Sequence, residues 1–284
     1  MEYSNPEIPE GINTSKEHPL KEFVWLTGGV VGLIIACILL LMLFADTLTA
    51  YIPFSVEKRL SLPEFPDSVE KGPLPEYLRS MAQRIVRAEG LPEEMTITVH
   101  YLDDDTVNAF ATLGGHVYFY RGLLEKLHNE KALAMLMAHE IAHIKYRHPI
   151  KSLGRGVVAA LGISIISSSA GDAVIDNLIG GASTLTILKF SRSMEAQADV
   201  AAMDAVQTMY GDLHGADDLF RVLQKEASSL EPPAFFSTHP LTEARIRAIT
   251  QRIQNSTIQD SRITPLPQDF NKWLKMDKKE AGNT

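Results

Sequence analysis

Residues 137–144 read Met137-Ala138-His139-Glu140-Ile141-Ala142-His143-Ile144 and carry the most informative pattern in the chain. Asn129 can cap a helix that runs to about Tyr146, which places the two histidines four residues apart on one helical face. Both imidazoles can then reach a single zinc ion at about 2.0–2.1 Å. Glu140 projects about 100° around the helix, where it can take a proton from water on the metal without binding the metal.

The alternative interpretation is a surface helix with two histidines and a solvated glutamate. Leu133, Met137 and Ile141 form an apolar stripe beside the motif, so the helix is predicted to be buried. Unpaired histidine and glutamate side chains would be costly in such a position. The pattern therefore favours a metal site, and a catalytic zinc site needs a third protein ligand and an open position.

Glu195 is the best candidate for the third ligand, on a helix predicted from Met194 to Tyr210 with Ser193 as its cap. Neighbouring alanines would let this helix approach the first one closely. Asp199 lies one turn further on and could accept the free ring N–H of a bound histidine. On spacing alone, a solvated acidic face explains Glu195 equally well. Surface or packing roles are favoured for five other histidines, His100, His116, His128, His148 and His214.

Taken together, these motifs resemble the M48 family of zinc peptidases over about residues 108–247. The resemblance rests on His-Glu-x-x-His, the downstream Arg192-x-x-Glu195-x-x-Ala198-Asp199, and Ser237-Thr238-His239-Pro240. It implies that zinc is bound by His139, His143 and Glu195, with Glu140 as general base. It also implies that Asp199 orients a ligand, that His239 donates to the developing oxyanion, and that Arg245 organises the acidic cluster or assists His239.

A second matching segment precedes the motif helix and contains Asn108-Ala109-Phe110-Ala111-Thr112 and Gly114-Gly115-His116. In related zinc peptidases such a segment includes an edge strand that pairs with the substrate backbone. The resemblance therefore implies polypeptide substrates, bound by Ala111, Gly114 and Gly115.

The predicted fold class is α+β, a mainly helical zincin-like domain with a small β-sheet over residues 76–254. Alternating residues predict a strand at 97–101, and shorter strands are predicted at 110–112 and 117–120. A helix is predicted from Glu76 to Gly90, and an amphipathic helix is predicted to begin at Pro240.

Residues 23–45 contain no charged side chain and would form roughly 33 Å of helix, which predicts one transmembrane anchor in membrane lipid. The flanking segments are interpreted as a polar tail at 1–22, a Pro-rich linker at 46–75 and a polar tail at 255–284. Residues 153–190 are predicted to form a buried or membrane-surface helical pair. Equal numbers of lysines and arginines flank the two ends of the 23–45 span, so they do not determine its orientation. The catalytic domain is predicted on the exported side of a bacterial inner membrane because a short N-terminal tail in the cytosol is the simpler arrangement.

The net charge of −8 argues against nucleic acid as a partner. Cys37 is the single cysteine, which excludes an intramolecular disulfide, a cysteine zinc site and a cysteine nucleophile. These features favour a membrane-anchored zinc endopeptidase in protein quality control. The alternatives are a proteolytically inactive chaperone or adaptor that keeps the zinc fold, and a scaffold that displays its domain from the membrane without metal.

Overall fold

A four-stranded mixed sheet and a set of helices surround one central helix in the computed structural model of the chain. The structure describes residues 19–49, 51–61, 68–69, 71–167, 189–227, 234–256 and 263–280. Its strands are β1 (Ser68–Val69), β2 (Thr98–Leu102), β3 (Ala109–Ala111) and β4 (His116–Tyr120). Its helices are α1 (Pro19–Thr49), α2 (Phe54–Leu60), α3 (Pro73–Glu89), α4 (Arg121–Leu124), α5 (Glu130–Lys145), α6 (His148–Ser167), α7 (Arg192–Tyr210), α8 (Asp218–Ala227), α9 (Phe235–Thr238), α10 (Glu243–Asn255) and α11 (Phe270–Glu280).

The sheet has the strand order β1-β2-β4-β3, which places β3 at one edge of the described sheet. β2 and β4 are parallel, with Val99 opposite Val117, whereas the other two pairs are antiparallel. The three predicted strands are confirmed within one residue or so at each end. The fold class is also confirmed, because the chain is mainly helical with a small sheet beside the motif helix.

Helix α5 forms the centre of the core, and every residue from Lys131 to Ile144 is buried. Helix α3 packs against it, and its apolar residues such as Leu78 and Ile85 recur at helical spacing. Helix α7 approaches α5 through the small side chains of Ala142, Ala198 and Ala201. This close approach brings residues of α7 next to the motif on α5.

Two predicted helix starts are wrong by two or three residues. Helix α7 is capped by Ser191, whose hydroxyl accepts from the Met194 amide at 3.3 Å, rather than by Ser193. Helix α10 begins at Glu243 rather than at Pro240, because Thr242 provides the capping hydroxyl. In both helices the start is set by the residue whose hydroxyl caps the first turn, and not by Ser193 or Pro240.

Two segments interpreted as linker and tail contain packed helices. Helix α2 and strand β1 lie within the predicted 46–75 linker, and Phe54 of α2 is buried. Helix α11 lies within the predicted 255–284 tail and buries Phe270 and Leu274 in the core. Each helix depends on one or two apolar side chains in a polar stretch, which gives too little periodicity to predict it.

Helix α1 contains the predicted anchor and, among the described residues, is the one helix long and apolar enough to cross a membrane, over Leu20–Leu41. Its first turn includes residues 19–22 of the predicted polar tail; residues 1–18 lie outside the described part. Helix α6 covers the first half of the segment predicted as a helical pair and packs along α1. The rest of that segment, 168–188, lies outside the described residues.

Candidate metal centre

Helix α5 supplies three adjacent functional side chains, and its start is set by a strong cap. The side chain of Asn129 accepts a hydrogen bond from the Ala132 amide at 2.8 Å, as predicted. From that start, His139 and His143 lie one turn apart, and Glu140 lies about 100° around the helix from His139. All three side chains are buried, and Glu140 and His143 have no exposed surface.

Glu195 of α7 lies against the two histidines, as the sequence predicts. The Nε2 atoms of His139 and His143 are 3.1 Å apart. Glu195 Oε2 lies 3.5 Å from His139 Nε2, and Oε1 lies 3.5 Å from His143 Nε2. The structure therefore brings the three predicted ligands together in one buried group that could hold a metal ion.

Asp199 and Arg245 form the layer behind these three predicted ligands. Asp199 Oδ1 lies 3.1 Å from His139 Nδ1, the ring nitrogen that faces away from Glu195. Arg245 donates to both oxygens of Asp199, at 2.7 and 2.8 Å, and its third nitrogen lies 2.5 Å from Glu195 Oε2. One guanidinium thus holds both carboxylates in a fixed relative position.

The pKa values in this group are dominated by burial and by the opposite charges. Burial disfavours both carboxylate anions, but His239 and His139 lower the pKa of Glu195, and Arg245 lowers that of Asp199. Burial likewise disfavours protonated His139, yet the carboxylates of Asp199 and Glu195 raise its pKa to about 10. For His143, burial and the neighbouring His139 both lower the pKa, which favours a neutral ring able to bind metal.

Glu140 differs from the other acids of the group. Burial raises its pKa, and neither carboxylate oxygen has a full hydrogen bond among the described residues. The backbone amide of Ala111 lies close enough to favour the charged form only weakly. Burying a carboxylate without full hydrogen bonds is costly, so this arrangement does not contribute to stability.

His239 lies closer to the ligands than its predicted role requires. Its Nδ1 lies 3.1 Å from Glu195 Oε1, and its Nε2 lies 3.5 Å from Glu140 Oε1 without a hydrogen bond. Phe235 stacks on the ring at a centroid distance of 4.6 Å and fixes its plane. The four side chains His139, His143, Glu195 and His239 each offer one atom within 4.8 Å of the others, so His239 is placed to donate a hydrogen bond or to bind the same metal.

Three residues of the site were missed by the sequence analysis. His148, for which a surface or packing role was favoured, is buried with its Nδ1 2.9 Å from Nδ1 of His143. Gln197 Oε1 lies 3.1 Å from the other nitrogen of His148. Phe190 stacks on His143 at a centroid distance of 4.0 Å. The one available signal was the position of His148 just after the motif helix, with Gln197 two residues after Glu195.

The predicted substrate-binding residues fall into two groups. Ala111 lies on the edge strand β3, next to Glu140. Gly114 and Gly115 have positive φ angles of 77° and 91° and face the protein interior. A Cβ on Gly114 would lie 3.0 Å from the Ser61 side chain, and one on Gly115 would lie 2.0 Å from a backbone oxygen of Thr96. Backbone geometry and packing therefore explain both glycines, and their role in substrate binding stays a prediction.

Comparison with known proteins gives a family match that covers this site. Residues 74–253 match the model of peptidase family M48. The chain is 27% identical to the beta-barrel assembly-enhancing protease of Escherichia coli K12 over 61% of the chain and 37% of that protein. It is 30% identical to a Vibrio cholerae protein given the same name provisionally, over 63% of the chain and 39% of that protein.

A eukaryotic relative shows the same similarity. The chain is 28% identical to the mitochondrial metalloendopeptidase OMA1 of Schizosaccharomyces pombe, over 64% of the chain and 54% of that protein. The chain thus spans between 37% and 54% of the length of these three relatives.

Proposed function

Because the chain belongs to peptidase family M48, we propose that it is a membrane-anchored, zinc-dependent endopeptidase. The observation that carries this proposal is the convergence of His139, His143 and Glu195 from two helices, with the carboxylate of Glu140 beside them and without a hydrogen bond to its oxygens among the described residues. Two imidazoles and one carboxylate form the ligand set of catalytic zinc sites, which keep one position open for water or substrate.

The spacing of the three side chains fits zinc. A tetrahedral ion with bonds of about 2.0–2.1 Å has ligand atoms roughly 3.4 Å apart. The distances among the nearest atoms of His139, His143 and Glu195 are 3.1, 3.5 and 3.5 Å. Asp199 on the far nitrogen of His139 supports the fit, because a carboxylate there fixes the tautomer that leaves Nε2 free to bind.

When bound, zinc supplies a Lewis acid that polarises the scissile carbonyl and acidifies the attacking water. Glu140 takes the proton from that water and passes it to the leaving amine. Burial raises the pKa of Glu140 above that of an exposed glutamate, which makes its carboxylate a stronger proton acceptor. Arg245 keeps Glu195 and Asp199 ionised and in place while the charge at the site changes.

His239 is proposed as the donor to the oxyanion that forms from the carbonyl. Its Nε2 lies beside Glu140 and lacks a hydrogen bond among the described residues, so it is free to donate to a reacting group. One such donor contributes about 3 kcal/mol to the stabilisation of a transition state. Phe235 supports this role because its stacking limits rotation of the ring.

The proposed substrates are polypeptides that bind in an extended form. Strand β3 is an edge strand of the described sheet, and its last residue, Ala111, lies beside Glu140. A substrate strand added along β3 would carry its scissile bond toward the base. The proposal includes a role in protein quality control at a membrane, with the catalytic domain on the exported side, and the apolar helix α1 supports the membrane attachment.

The proposal is tested by casein digestion with the purified full-length chain and its Glu140→Gln variant. We expect the variant to lose activity by roughly 10²–10⁴-fold and to retain its zinc, because glutamine keeps the shape but cannot accept the proton. Glu94→Gln is the matched control, since Glu94 is exposed and distant in sequence from the motif.

A wild-type chain that binds zinc but digests nothing would support the inactive chaperone or adaptor instead. A wild-type chain without stoichiometric metal would support the scaffold. Full activity of Glu140→Gln would contradict the proposed mechanism.

A further inference from the structure

Helix α6 begins five residues after His143 and runs beside the candidate membrane helix. Its contacts with α1 are specific at the end near the domain. Arg155 Nε donates to Asp46 Oδ1 at 2.9 Å, and a second nitrogen of the same guanidinium contacts the other oxygen. Next to Arg155 on α6, a Cβ added to Gly154 would lie 3.6 Å from the methyl group of Thr49, which is about one turn after Asp46 on α1.

The direction of α6 follows from these contacts and one more. Arg147, just before α6, donates to the carbonyl of Ile52, just after α1. From Arg147 to Arg155 the contacted residues therefore move backward along the chain, from Ile52 just after α1 to Asp46 within it. The two helices are antiparallel, so the part of α6 beyond Arg155 runs alongside residues of α1 that precede Asp46.

The exposure pattern of α1 agrees with this register. Along residues 33–40 the side chains are exposed, except for Ile34 and Ile38, which are half-buried. These two lie one turn apart on one face. If the antiparallel pairing continues beyond the Asp46–Arg155 contact, the last turns of α6 lie at the same height as Ile34 and Ile38 of α1.

The sequence beyond Arg155 suits a bilayer. Residues 156–167 read Gly-Val-Val-Ala-Ala-Leu-Gly-Ile-Ser-Ile-Ile-Ser and contain no charged side chain. As helix they are roughly 18 Å long, which is more than half of a hydrocarbon core of about 30 Å. On α1 the charge-free run likewise ends at Asp46. The Asp46–Arg155 pair therefore marks the level at which both helices lose their charges.

We propose that residues 156–167 of α6 lie in the lipid bilayer beside α1, with the Asp46–Arg155 pair at the membrane surface. Two helices then carry the domain instead of one. The second is continuous with the metal centre, since α6 starts at His148 and the ring of His148 contacts His143.

This arrangement fixes the distance between the centre and the membrane. From His148 to Arg155 there are seven rises of 1.5 Å, or about 10 Å of helix, which places His143 about that far above the surface. If the proposed peptidase function holds, the substrates are polypeptide segments within about 10 Å of a bilayer, such as the ends of transmembrane segments.

The test measures the depth of α6 directly and needs no activity. In a Cys37→Ser background, which removes the single native cysteine, Ile163→Cys, Val157→Cys and Lys151→Cys variants carry a nitroxide spin label. The full-length chains are reconstituted in phosphatidylcholine liposomes. Power-saturation electron paramagnetic resonance then compares collision with oxygen, which concentrates in lipid, and with a water-soluble nickel chelate.

We expect the ratio of oxygen to nickel accessibility to be severalfold higher at position 163 than at 151, with 157 in between. A label at 163 that is accessible to nickel, or protected from both reagents, would overturn the proposal, because the first result means water and the second a protein interior. The measurement is repeated with Glu140→Gln also present, and we expect the same accessibility ratios, because the depth of α6 does not depend on catalysis. The result therefore stands even if the proposed peptidase function fails.

Discussion

The two ends of helix α5 both bury polar side chains, but they satisfy them differently. At the start of the helix, Asn129 accepts from the Ala132 amide and donates to the Gly215 carbonyl at 3.0 Å. Lys131, two residues further along the chain, is paired with Asp212 at 2.5 Å. Toward the other end, both oxygens of Glu140 and Nε2 of His239 lack a hydrogen bond among the described residues.

The difference separates a structural network from a reactive site. A buried polar atom without a partner costs about 1–3 kcal/mol, so a fold retains several of them where a ligand or reaction requires them. The side chains of Asn129 and Lys131 have protein partners, and their contribution is to stability. Around Glu140 we propose that metal, water and substrate provide the partners.

The largest expected effect is on metal content. Glu195→Ala removes the only carboxylate among the proposed ligands and leaves Arg245 without one of its two acidic partners. We expect the purified variant to contain less than about a tenth of a zinc ion per chain and to be inactive, because two imidazoles alone do not form a catalytic zinc site. Plasma mass spectrometry of the dialysed protein measures the metal.

The control for this measurement is Glu94→Ala, which changes an exposed glutamate and should retain one zinc per chain. Stoichiometric zinc in Glu195→Ala would mean that the third ligand is another residue, of which His239 is the nearest.

The next effect sharpens the role of His239. If it donates to the oxyanion, His239→Ala lowers kcat by roughly 10²-fold or more, with the zinc content unchanged. If it binds the metal as a fourth ligand, it fills the open position, and removing it raises the activity. The exposed His128→Ala variant is the control. Steady-state proteolysis of a labelled peptide decides between a loss and a gain.

A smaller effect is expected from the residue behind His143. Gln197 accepts from one nitrogen of His148, which leaves the other nitrogen to accept from Nδ1–H of His143 and so frees His143 Nε2 for metal. His148→Leu keeps an apolar volume but removes the acceptor, and we expect the Kd for zinc to rise about 10–100-fold.

His148→Asn provides the matched test, because its side-chain oxygen can accept the same hydrogen bond. Competition with a chromogenic chelator should show most of the zinc affinity restored in His148→Asn. Equal losses in both variants would mean that His148 contributes packing alone.

Site residues that are close together in sequence could be predicted from local pattern, whereas residues that distant segments bring together could not. His139, Glu140 and His143 share one helix, so the periodicity of that helix was sufficient to place them. Glu195 lies on another helix, where spacing left a solvated face equally plausible, and the family resemblance was needed to choose. The contact of His148 with His143 depends on Arg147, whose φ of 60° turns the chain back after α5, and no local pattern indicates that turn.

The smallest effect tests the opposite end of α5. Asn129→Ala removes the cap and two donated hydrogen bonds, to Gly215 and Asp218, and we expect it to destabilise the chain by about 2 kcal/mol. For a chain of this size that lowers Tm by roughly 4–8 °C. The activity of the folded protein at 25 °C should stay within about twofold of wild type, because the cap lies almost three turns of helix from His139. Differential scanning calorimetry of the detergent-solubilised chain, with the exposed Asn271→Ala as control, measures the shift. If Asn129→Ala instead lost zinc at unchanged Tm, the division of α5 into a structural end and a reactive end would be wrong.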